Sequence, residues 1–467
     1  SMVYTMPEFL ERRYNPQSRT ILSVISLVSY VLTKVAVTVY AGGLVFQQVF
    51  GIKELWGIDF FWIAAIGLVV LTALYTIFGG MKSVLYTSVL QTPILLLGSL
   101  IILVLGFKEL GGWDEMMRVC GAVTVNDYGD TMTNLIRSND DANFPWLGAL
   151  IGSAIIGFWY WCTDQFIVQR VLSGKNEMEA RRGTIFGAYL KLLPVFLFLI
   201  PGMIAFALHQ KYIGAGGEGF LPMLANGTAN ADAAFPTLVA KLLPAGVKGL
   251  VVCGILAALM SSLASLFNSS AMLFTIDFYK RFKPETPEKK LVGIGQIATI
   301  VIVVLGILWI PIMRSVGDVL YTYLQDVQSV LAPGIAAAFL LGICWKRTSA
   351  QGGMWGLIAG MVIGLTRLGA KVYYSNAGEV ADSTFKYLFY DMNWLFFCGW
   401  MFLFCIIVVI VVSLATEAPT AEKIQGLVFG TATKEQKAST RASWNHWDII
   451  HTVIILAITG AFYWYFW

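Results

Sequence analysis

Long apolar runs alternate with short polar stretches along almost the whole chain. Each run approaches the roughly 20 residues that an α-helix needs to cross the hydrocarbon of a bilayer. Because backbone groups cannot stay unpaired in lipid, and the alternating pattern of barrel strands is absent, the runs predict helices. The predicted spans are 20–49, 59–79, 83–107, 146–163, 179–207, 246–276, 291–313, 317–344, 352–372, 388–416 and 446–467.

Composition supports a membrane protein with one domain over residues 1–467. Of these residues 57% are apolar and 13% are charged, whereas soluble domains are about one quarter charged. The basic residues lie beside apolar runs and do not form the mixed basic and aromatic surface of nucleic-acid binding proteins, so we expect no nucleic-acid partner. The three histidines lack metal-ligand spacing and a paired nucleophile, which argues against an enzyme.

Lysine and arginine counts in the loops predict the orientation, because cytoplasmic loops carry the positive excess. Loops on the side of the N-terminal segment hold nineteen of these residues, and the opposite loops hold eleven, among them Arg367 and Lys371. The pattern predicts a multi-pass protein of the plasma membrane, or of the cell inner membrane in a bacterium. Its N-terminus is expected inside and its C-terminus outside.

Three aromatic residues lead into an acid and an amide at the inner end of one predicted span. The segment is Trp159-Tyr160-Trp161-Cys162-Thr163-Asp164-Gln165. Aromatic rings with a few polar groups suit a sugar, whose apolar face stacks while its hydroxyls form hydrogen bonds. The alternative is an interfacial aromatic belt followed by a polar helix cap, and the pattern supports both equally.

Three polar residues lie deep inside predicted spans, where a charge is costly and usually faces a cavity or a partner. Lys191 precedes Pro194, which frees backbone carbonyls, and it either donates to a substrate or carboxylate or forms a structural ion pair. Gln325 can donate and accept at once, as a sugar hydroxyl requires. Lys34 has no acid near it in the sequence, so we expect a carboxylate partner elsewhere.

Small and hydroxylated residues fill the segment 257–270. Composition alone favours close helix packing there, since small residues let helices approach and serine can bond to its own helix. The other interpretation is a sodium site. In that case the Ala258 carbonyl and the Ser261 and Ser262 hydroxyls offer three neutral oxygens, and hard cations prefer oxygen ligands.

These clusters, in this order, resemble the sodium/glucose cotransporters of the solute:sodium symporter family over nearly the whole chain. The matching segments are VYTMPEFL (3–10), WYWCTDQ (159–165), VQR (168–170), YLKL (189–192), MSSL (260–263), FNS (267–269), FTID (274–277), FLL (339–341) and WKR (345–347). The aromatic segment is specific, whereas the serine pair alone would be a weak signal.

The resemblance implies an all-α polytopic membrane protein with a core of two five-helix inverted repeats, of the amino acid–polyamine–sodium-coupled transporter type. The family has about fourteen helices, so the eleven spans imply that the first three are missing from this sequence. The single transporter domain would then comprise the remainder of repeat one (core helices three to five, 20–107), repeat two (core helices six to ten, 146–344) and peripheral helices (352–467).

Residue by residue, the resemblance implies that Tyr160 is the aromatic of the inner gate and Trp161 its stacking neighbour. Lys191 and Gln325 correspond to residues that hydrogen-bond the sugar. These four residues come from three different predicted spans, so we expect the fold to bring them to one site.

The conserved sodium site of the family is implied at Ala258, Ser261 and Ser262. Some relatives bind a second sodium with an aspartate and a threonine, where this chain has Ser88 and Ala264. Without that carboxylate and that hydroxyl, we expect one sodium per sugar.

The implied function is symport of a monosaccharide of the glucose or galactose type into the cell by alternating access. Na⁺ is the transported coupling ion, no organic cofactor is expected, and the other partners are the sugar and membrane lipid. The alternatives are a sodium symporter for another small solute, such as sialic acid, proline, pantothenate or iodide, and a sugar sensor that does not transport. The sequence predicts neither the particular sugar nor the oligomeric state.

Overall fold

The computed structural model describes residues 5–224, 227–316, 319–377 and 381–466, with no description of the side chains at 75, 77–85, 87, 90 and 314–316. Five residues on which the predictions rest therefore lie outside the described residues. They are the motif residues Val3 and Tyr4, the first two positions of the predicted span 317–344, and the last residue of the final predicted span, Trp467.

Helices make up most of the described structure. The first part of the chain contains α1 (Met6–Arg13), α2 (Pro16–Ser29), a π-helical segment (Tyr30–Val35), α3 (Ala36–Phe50), the antiparallel strands β1 (Glu54–Leu55) and β2 (Ile58–Asp59), α4 (Phe60–Leu110) and α5 (Trp113–Gly121). The middle part contains α6 (Trp146–Cys162), α7 (Gln165–Leu172), α8 (Glu177–Pro194), a π-helical segment (Val195–Leu199), α9 (Ile200–Gly214), a 3₁₀ turn (Ala231–Ala233), α10 (Ala234–Leu242), α11 (Ala245–Met272), a π-helical segment (Leu273–Tyr279) and α12 (Lys280–Phe282). The last part contains α13 (Glu288–Val316), α14 (Leu320–Cys344), α15 (Ala350–Asn376), α16 (Thr384–Lys386), a π-helical segment (Tyr387–Asp391), α17 (Trp394–Ala415), α18 (Ala421–Ile424), α19 (Lys434–Ala442) and α20 (His446–Tyr465).

The predicted spans agree closely with these helices. Within the described residues, nine helices are long and apolar enough to cross a membrane, and the bent pair α6–α7 makes a tenth. A shorter apolar stretch, Phe60–Leu74, lies at the start of α4. The prediction of eleven spans is approximately confirmed, and the protein is a multi-pass membrane protein.

Helix α4 differs from the prediction of two separate spans at 59–79 and 83–107. The backbone forms one helix of 51 residues, which at 1.5 Å per residue is about 75 Å long, more than twice the roughly 30 Å of hydrocarbon. Gly79 ends the first predicted span, and Gly80 follows it before the second span begins. A glycine inside a helix costs only about 1 kcal/mol, which does not enforce a break.

The chain divides into two compact units. The first comprises 1–36, 139–185 and 269–452, and the second comprises 37–138, 186–268 and 453–467. In the first unit α14 packs against α15, α17 and α6. A Cβ added at Gly334 or Gly360 would lie within 2.8 Å of the other residue's Cα, so this pair of glycines allows α14 and α15 to approach closely.

The core of the second unit forms where α4, α5, α9 and α10 pack together. Ile102, Met116, Ile204, Leu208 and Leu238 are fully buried there. Lipid is as apolar as these side chains, so inside a bilayer their close packing stabilises the fold through van der Waals contacts. This core fixes the helices around the C-terminal half of α4.

Helix α1 is fastened to the end of α14 by a fully buried arginine. Arg13 donates from Nε to the Gly342 carbonyl at 2.7 Å and from Nη2 to the Trp345 carbonyl at 3.2 Å. Tyr14 donates to the Ala338 carbonyl at 2.7 Å. Burial lowers the pKa of the Arg13 guanidinium, and the neighbouring Tyr14 opposes that shift. The last carbonyls of a helix have no partner within it; Arg13 supplies one to Gly342, whereas Tyr14 adds a second bond to a carbonyl one turn earlier.

Candidate functional site

The aromatic segment predicted from the sequence ends at a break between two helices. Helix α6 stops at Cys162, and the amides of Thr163 and Asp164 both donate to the Trp159 carbonyl at 3.0 Å. Helix α7 begins at Gln165 after a bend of 47°. Asp164 caps α7 by accepting from the Phe166 amide at 3.2 Å, as aspartate commonly does at a helix N-terminus. The segment therefore ends one helix and starts the next.

Asp164 is paired with Lys34, so the expectation of a carboxylate partner for this lysine is confirmed. The Lys34 ammonium contacts Asp164 Oδ2, and the two side chains are 9% and 2% exposed. The ammonium also lies 4.4 Å from the ring centre of Phe166, 4.7 Å from that of Tyr30 and 5.7 Å from that of Tyr160. Such cation–π contacts strengthen when they are desolvated, and together with Asp164 they hold a charge that lipid would disfavour.

The other polar residue of the motif, Gln165, connects the break to two further segments. Its Oε1 accepts from the Met6 amide at 2.9 Å, and its Nε2 lies 3.8 Å from the sulfur of Met272. The side chain is buried. An interfacial aromatic belt with a polar helix cap would not need contacts with residues so distant in the sequence.

The predicted gate residues lie immediately before the break. Tyr160 is partly buried, and its ring meets that of Trp161 edge-on, with 5.1 Å between the ring centres. Trp161 is 51% exposed. The pair therefore offers one sheltered and one accessible aromatic ring next to the bend.

Gln325 is partly buried in α14 of the same unit, beside a charged cluster that the sequence did not predict. The carboxylate of Asp326 contacts the Lys371 ammonium and lies 3.8 Å from Arg367 Nη2. Arg367 is fully buried, and it donates to two carbonyls, those of Leu388 at 3.2 Å and Met392 at 2.6 Å.

This cluster corrects the placement of two basic residues. Arg367 and Lys371 were counted among the residues of the outer loops, but both lie inside α15, which continues to Asn376. Their charges are tolerated within the helix because Asp326 of α14 and the carbonyls near α17 compensate them.

Lys191 lies in α8, in the second unit, and its side chain is exposed. The helix continues through Pro194 directly into the π-helical segment Val195–Leu199. Proline removes one hydrogen bond from the helix, and the π-helical turn is where the bonding pattern changes. A common site for Lys191 with Tyr160, Trp161 and Gln325 stays a prediction.

The predicted sodium ligands lie on α11, also in the second unit. The Ser261 hydroxyl is buried and hydrogen-bonded to the Ser88 hydroxyl at 2.6 Å. Ser262 and Ala258 are partly buried, and Ala258 lies one turn before both serines. These groups present neutral oxygens, which fit Na⁺ as a transported ion. Ala264, at the position that the second sodium site would use, is fully buried and has no ligand oxygen in its side chain.

A family model described as the sodium:solute symporter family matches residues 1–360. The chain belongs to the sodium:solute symporter family. This symporter is 35% identical to a Bos taurus sodium/mannose cotransporter, over 100% of the chain and 81% of the relative. It is 35% identical to the Homo sapiens sodium/myo-inositol cotransporter 2, and 37% identical to the Ovis aries sodium/glucose cotransporter 1. The chain covers 64% of each of these two proteins.

A solved structure confirms the fold class of the symporter. It is a substrate-bound, outward-open state of a Na⁺-coupled sialic acid symporter, with a TM-score of 0.66 and 21% identity, over 89% of this chain and 78% of that one. The predicted all-α polytopic transporter fold is therefore confirmed. Membership of this family makes the protein a sodium-coupled transporter and not an enzyme.

Four contributors to these networks were not singled out from the sequence, namely Tyr30, Asp326, Arg367 and Lys371. Tyr30 and Lys34 are four residues apart in one apolar span, as are Arg367 and Lys371 in another. Residues at this spacing share a helix face, so a search for polar pairs four apart inside spans would have found both. Asp326 was visible next to Gln325, but nothing in the sequence identified its partners.

Proposed function

We propose that this symporter moves a monosaccharide of the glucose or galactose type into the cell by alternating access, with one sodium ion per sugar. The strongest support is the edge-on pair of Tyr160 and Trp161 at a helix break. Aromatic rings bind the apolar face of a sugar while amides such as Gln325 bind its hydroxyls. Relatives named as mannose, myo-inositol and glucose cotransporters support the same substrate class.

The pairing of intramembrane charges favours an uncharged solute. Lys34 is paired with Asp164, and Lys371 is paired with Asp326. A carboxylate-bearing solute would need a cation to compensate its charge, and breaking a buried ion pair to provide one is strongly unfavourable. Lys191 excepted, the lysines named inside the spans are thus already paired with acids, which disfavours sialic acid and pantothenate as substrates.

The sodium ion is proposed to bind to the Ala258 carbonyl and the hydroxyls of Ser261 and Ser262. Ser88 is already hydrogen-bonded to Ser261, and it offers a hydroxyl in place of the carboxylate that a second site would need. One ion per sugar follows from this ligand set.

The decisive experiment is uptake into proteoliposomes of the purified protein under an inward sodium gradient. D-glucose, D-galactose, D-mannose and myo-inositol are compared, with potassium replacing sodium as the control. We expect accumulation of at least one monosaccharide, and its loss in potassium. Sugar binding without uptake would identify a sensor, and preference for myo-inositol would contradict the monosaccharide assignment.

The ratio of the two fluxes tests the stoichiometry. Parallel measurement of ²²Na⁺ and labelled sugar uptake should give a sodium-to-sugar ratio near one. A ratio near two would show that Ser88, or another group, supplies ligands for a second ion.

Ser262→Ala tests the sodium ligands directly. Removing the hydroxyl deletes a ligand that lipid cannot replace, so we expect the half-saturating sodium concentration to rise about tenfold, with normal expression. Ser270→Ala is the matched control, because the buried Ser270 hydroxyl has no hydrogen-bond partner in the described part of the chain. An unchanged sodium dependence in Ser262→Ala contradicts the assignment.

A further inference from the structure

The hydroxyl of Tyr30 contacts three groups from two other parts of the fold. Tyr30 is 1% exposed, donates to Asp164 Oδ1 at 3.3 Å and accepts from the Phe166 amide at 3.1 Å. It is also hydrogen-bonded to the side chain of Ser269. A phenol oxygen has one donor and two acceptor positions, so these contacts use its full capacity.

The first two contacts are made at the break between α6 and α7. An interrupted helix leaves amide and carbonyl groups without helical partners, and the Phe166 amide is one of them. Tyr30 and the side chain of Asp164 share that amide. The Tyr30 hydroxyl therefore helps to hold the break in its present geometry, four residues after Tyr160.

The third contact is made on α11, the helix of the proposed sodium ligands. Ser269 follows Ser262 by seven residues in that continuous helix, so the two lie on the same face about 10 Å apart along its axis. A shift of α11 that accompanies ion binding at Ser262 would move Ser269 with it. The bond to Tyr30 would then change.

Tyr30 itself begins a π-helical segment, Tyr30–Val35, which also contains Lys34. Such segments often lie at functional sites, since they change the direction of side chains within a helix. The ammonium of Lys34 lies over the Tyr30 ring and next to that of Tyr160. One short segment thus contacts the carboxylate, the amide and the aromatic rings at the break.

We propose that the Tyr30 hydroxyl couples the sodium-binding helix to the sugar gate. It acts as a positioning group, because it is assigned no contact with sodium or sugar. The inference rests on the proposed function and adds a residue to it. Energetic coupling needs an element with two arrangements that both sites bias, and the break between α6 and α7, fastened to α11 through Tyr30 and Ser269, is that element.

Tyr30→Phe tests the proposal, since it removes the hydroxyl and keeps the ring under Lys34. In proteoliposomes, the half-saturating D-glucose concentration is measured at low and at saturating sodium, and the ratio of the two values gives the coupling. Coupling between sites typically amounts to 5–150-fold. We expect the ratio in Tyr30→Phe to shrink by about fivefold, the equivalent of one hydrogen bond, and sodium uptake without sugar to increase.

Tyr323→Phe is the matched control. Tyr323 is 3% exposed, and its hydroxyl donates to the Leu32 carbonyl of the same segment at 2.9 Å and accepts from Trp309 Nε1 at 2.6 Å. No contact of this hydroxyl with the break is found among the described residues. The Tyr323→Phe variant should therefore retain the coupling ratio of the wild type.

Ser269→Ala supplies a second route to the same result. It should reduce the ratio as Tyr30→Phe does, and the double variant should lose no more than Tyr30→Phe alone, because the contact that Ser269→Ala removes is already absent there. A wild-type ratio in Tyr30→Phe or Ser269→Ala, or an equal loss in Tyr323→Phe, overturns the inference while leaving the proposed function intact. Failure of the proposed function is distinct, since the wild type would then show no sodium-dependent sugar uptake.

Discussion

Two buried carboxylates in the first unit each pair with a lysine, but they connect different kinds of backbone. Asp164 meets Lys34 where α6 has ended and α7 has not begun. Asp326 meets Lys371, with Arg367 nearby, between two unbroken helices. The first pair lies at a point where the chain can bend, and the second lies between helices that are already close-packed.

The two clusters also differ in how completely their polar atoms are satisfied. Both oxygens of Asp164 have partners, and rings surround the lysine. In contrast, Asp326 Oδ1 and Arg367 Nε are buried without a hydrogen-bond partner in the described part of the chain. A fully connected polar network can specify one arrangement at a hinge, whereas a partly satisfied one persists only where rigid packing imposes it. We infer that the first cluster serves motion and the second serves helix packing.

Neutralising each carboxylate should separate these roles and give the largest effect. Asp326→Asn leaves two cations without their acid, and we expect a loss of about 3–5 kcal/mol in stability. Asp164→Asn should cost less, because Lys34 keeps cation–π contacts worth up to about 2 kcal/mol, but it should reduce transport more. Thermal unfolding in detergent and uptake per folded molecule measure the two effects. A larger loss of stability in Asp164→Asn, together with a larger loss of transport in Asp326→Asn, would contradict the comparison.

A double-mutant cycle sharpens the comparison at the packing cluster. Adding Lys371→Met to Asp326→Asn removes the cation that the first change left unpaired, so part of the lost stability should return. The expected coupling energy is about 1–3 kcal/mol, as measured for contacting charges. Lys386→Met is the control, since Lys386 forms an exposed ion pair with Asp382 and its loss should not measurably change unfolding. Additive effects of the two changes would show that Lys371 does not stabilise Asp326.

Gln325→Ala should give the smallest effect on stability and a specific effect on sugar. One lost hydrogen bond to substrate costs about 1–3 kcal/mol, and 1.4 kcal/mol corresponds to a factor of ten. We expect the half-saturating sugar concentration to rise about tenfold at saturating sodium, with the unfolding temperature and the sodium dependence unchanged. Normal sugar transport would remove Gln325 from the site.

The spans could be predicted because apolar length is a local property of the sequence. Helix α17 illustrates this, since the predicted span 388–416 encloses the observed Trp394–Ala415. The place of Arg367 and Lys371 inside α15 could not be predicted, because their charges are compensated by Asp326, 45 residues away from Lys371. Local patterns give no information on such pairs.

The candidate site was predictable only in part, for the same reason. Lys34 was expected to have an acidic partner, but Asp164 lies 130 residues further along the chain, and many acids were equally possible. The gate and sodium residues came from the resemblance, and their joint function stays a prediction. Tyr30 was missed because a tyrosine in an apolar span is unremarkable until its hydroxyl contacts are known.

The fastening of α1 to α14 has a consequence for hydrogen exchange. An isolated helix of eight residues is unstable in water, so the amides of α1 would exchange rapidly if the helix stood alone. Arg13 instead donates to a carbonyl at the end of α14, and Tyr14 donates to the Ala338 carbonyl one turn earlier, so α1 cannot separate without leaving these buried donors unpaired. Its amides should therefore exchange only when these contacts with α14 break. The rate of deuterium uptake in α1 would report the free energy of detaching this short helix from a much longer one.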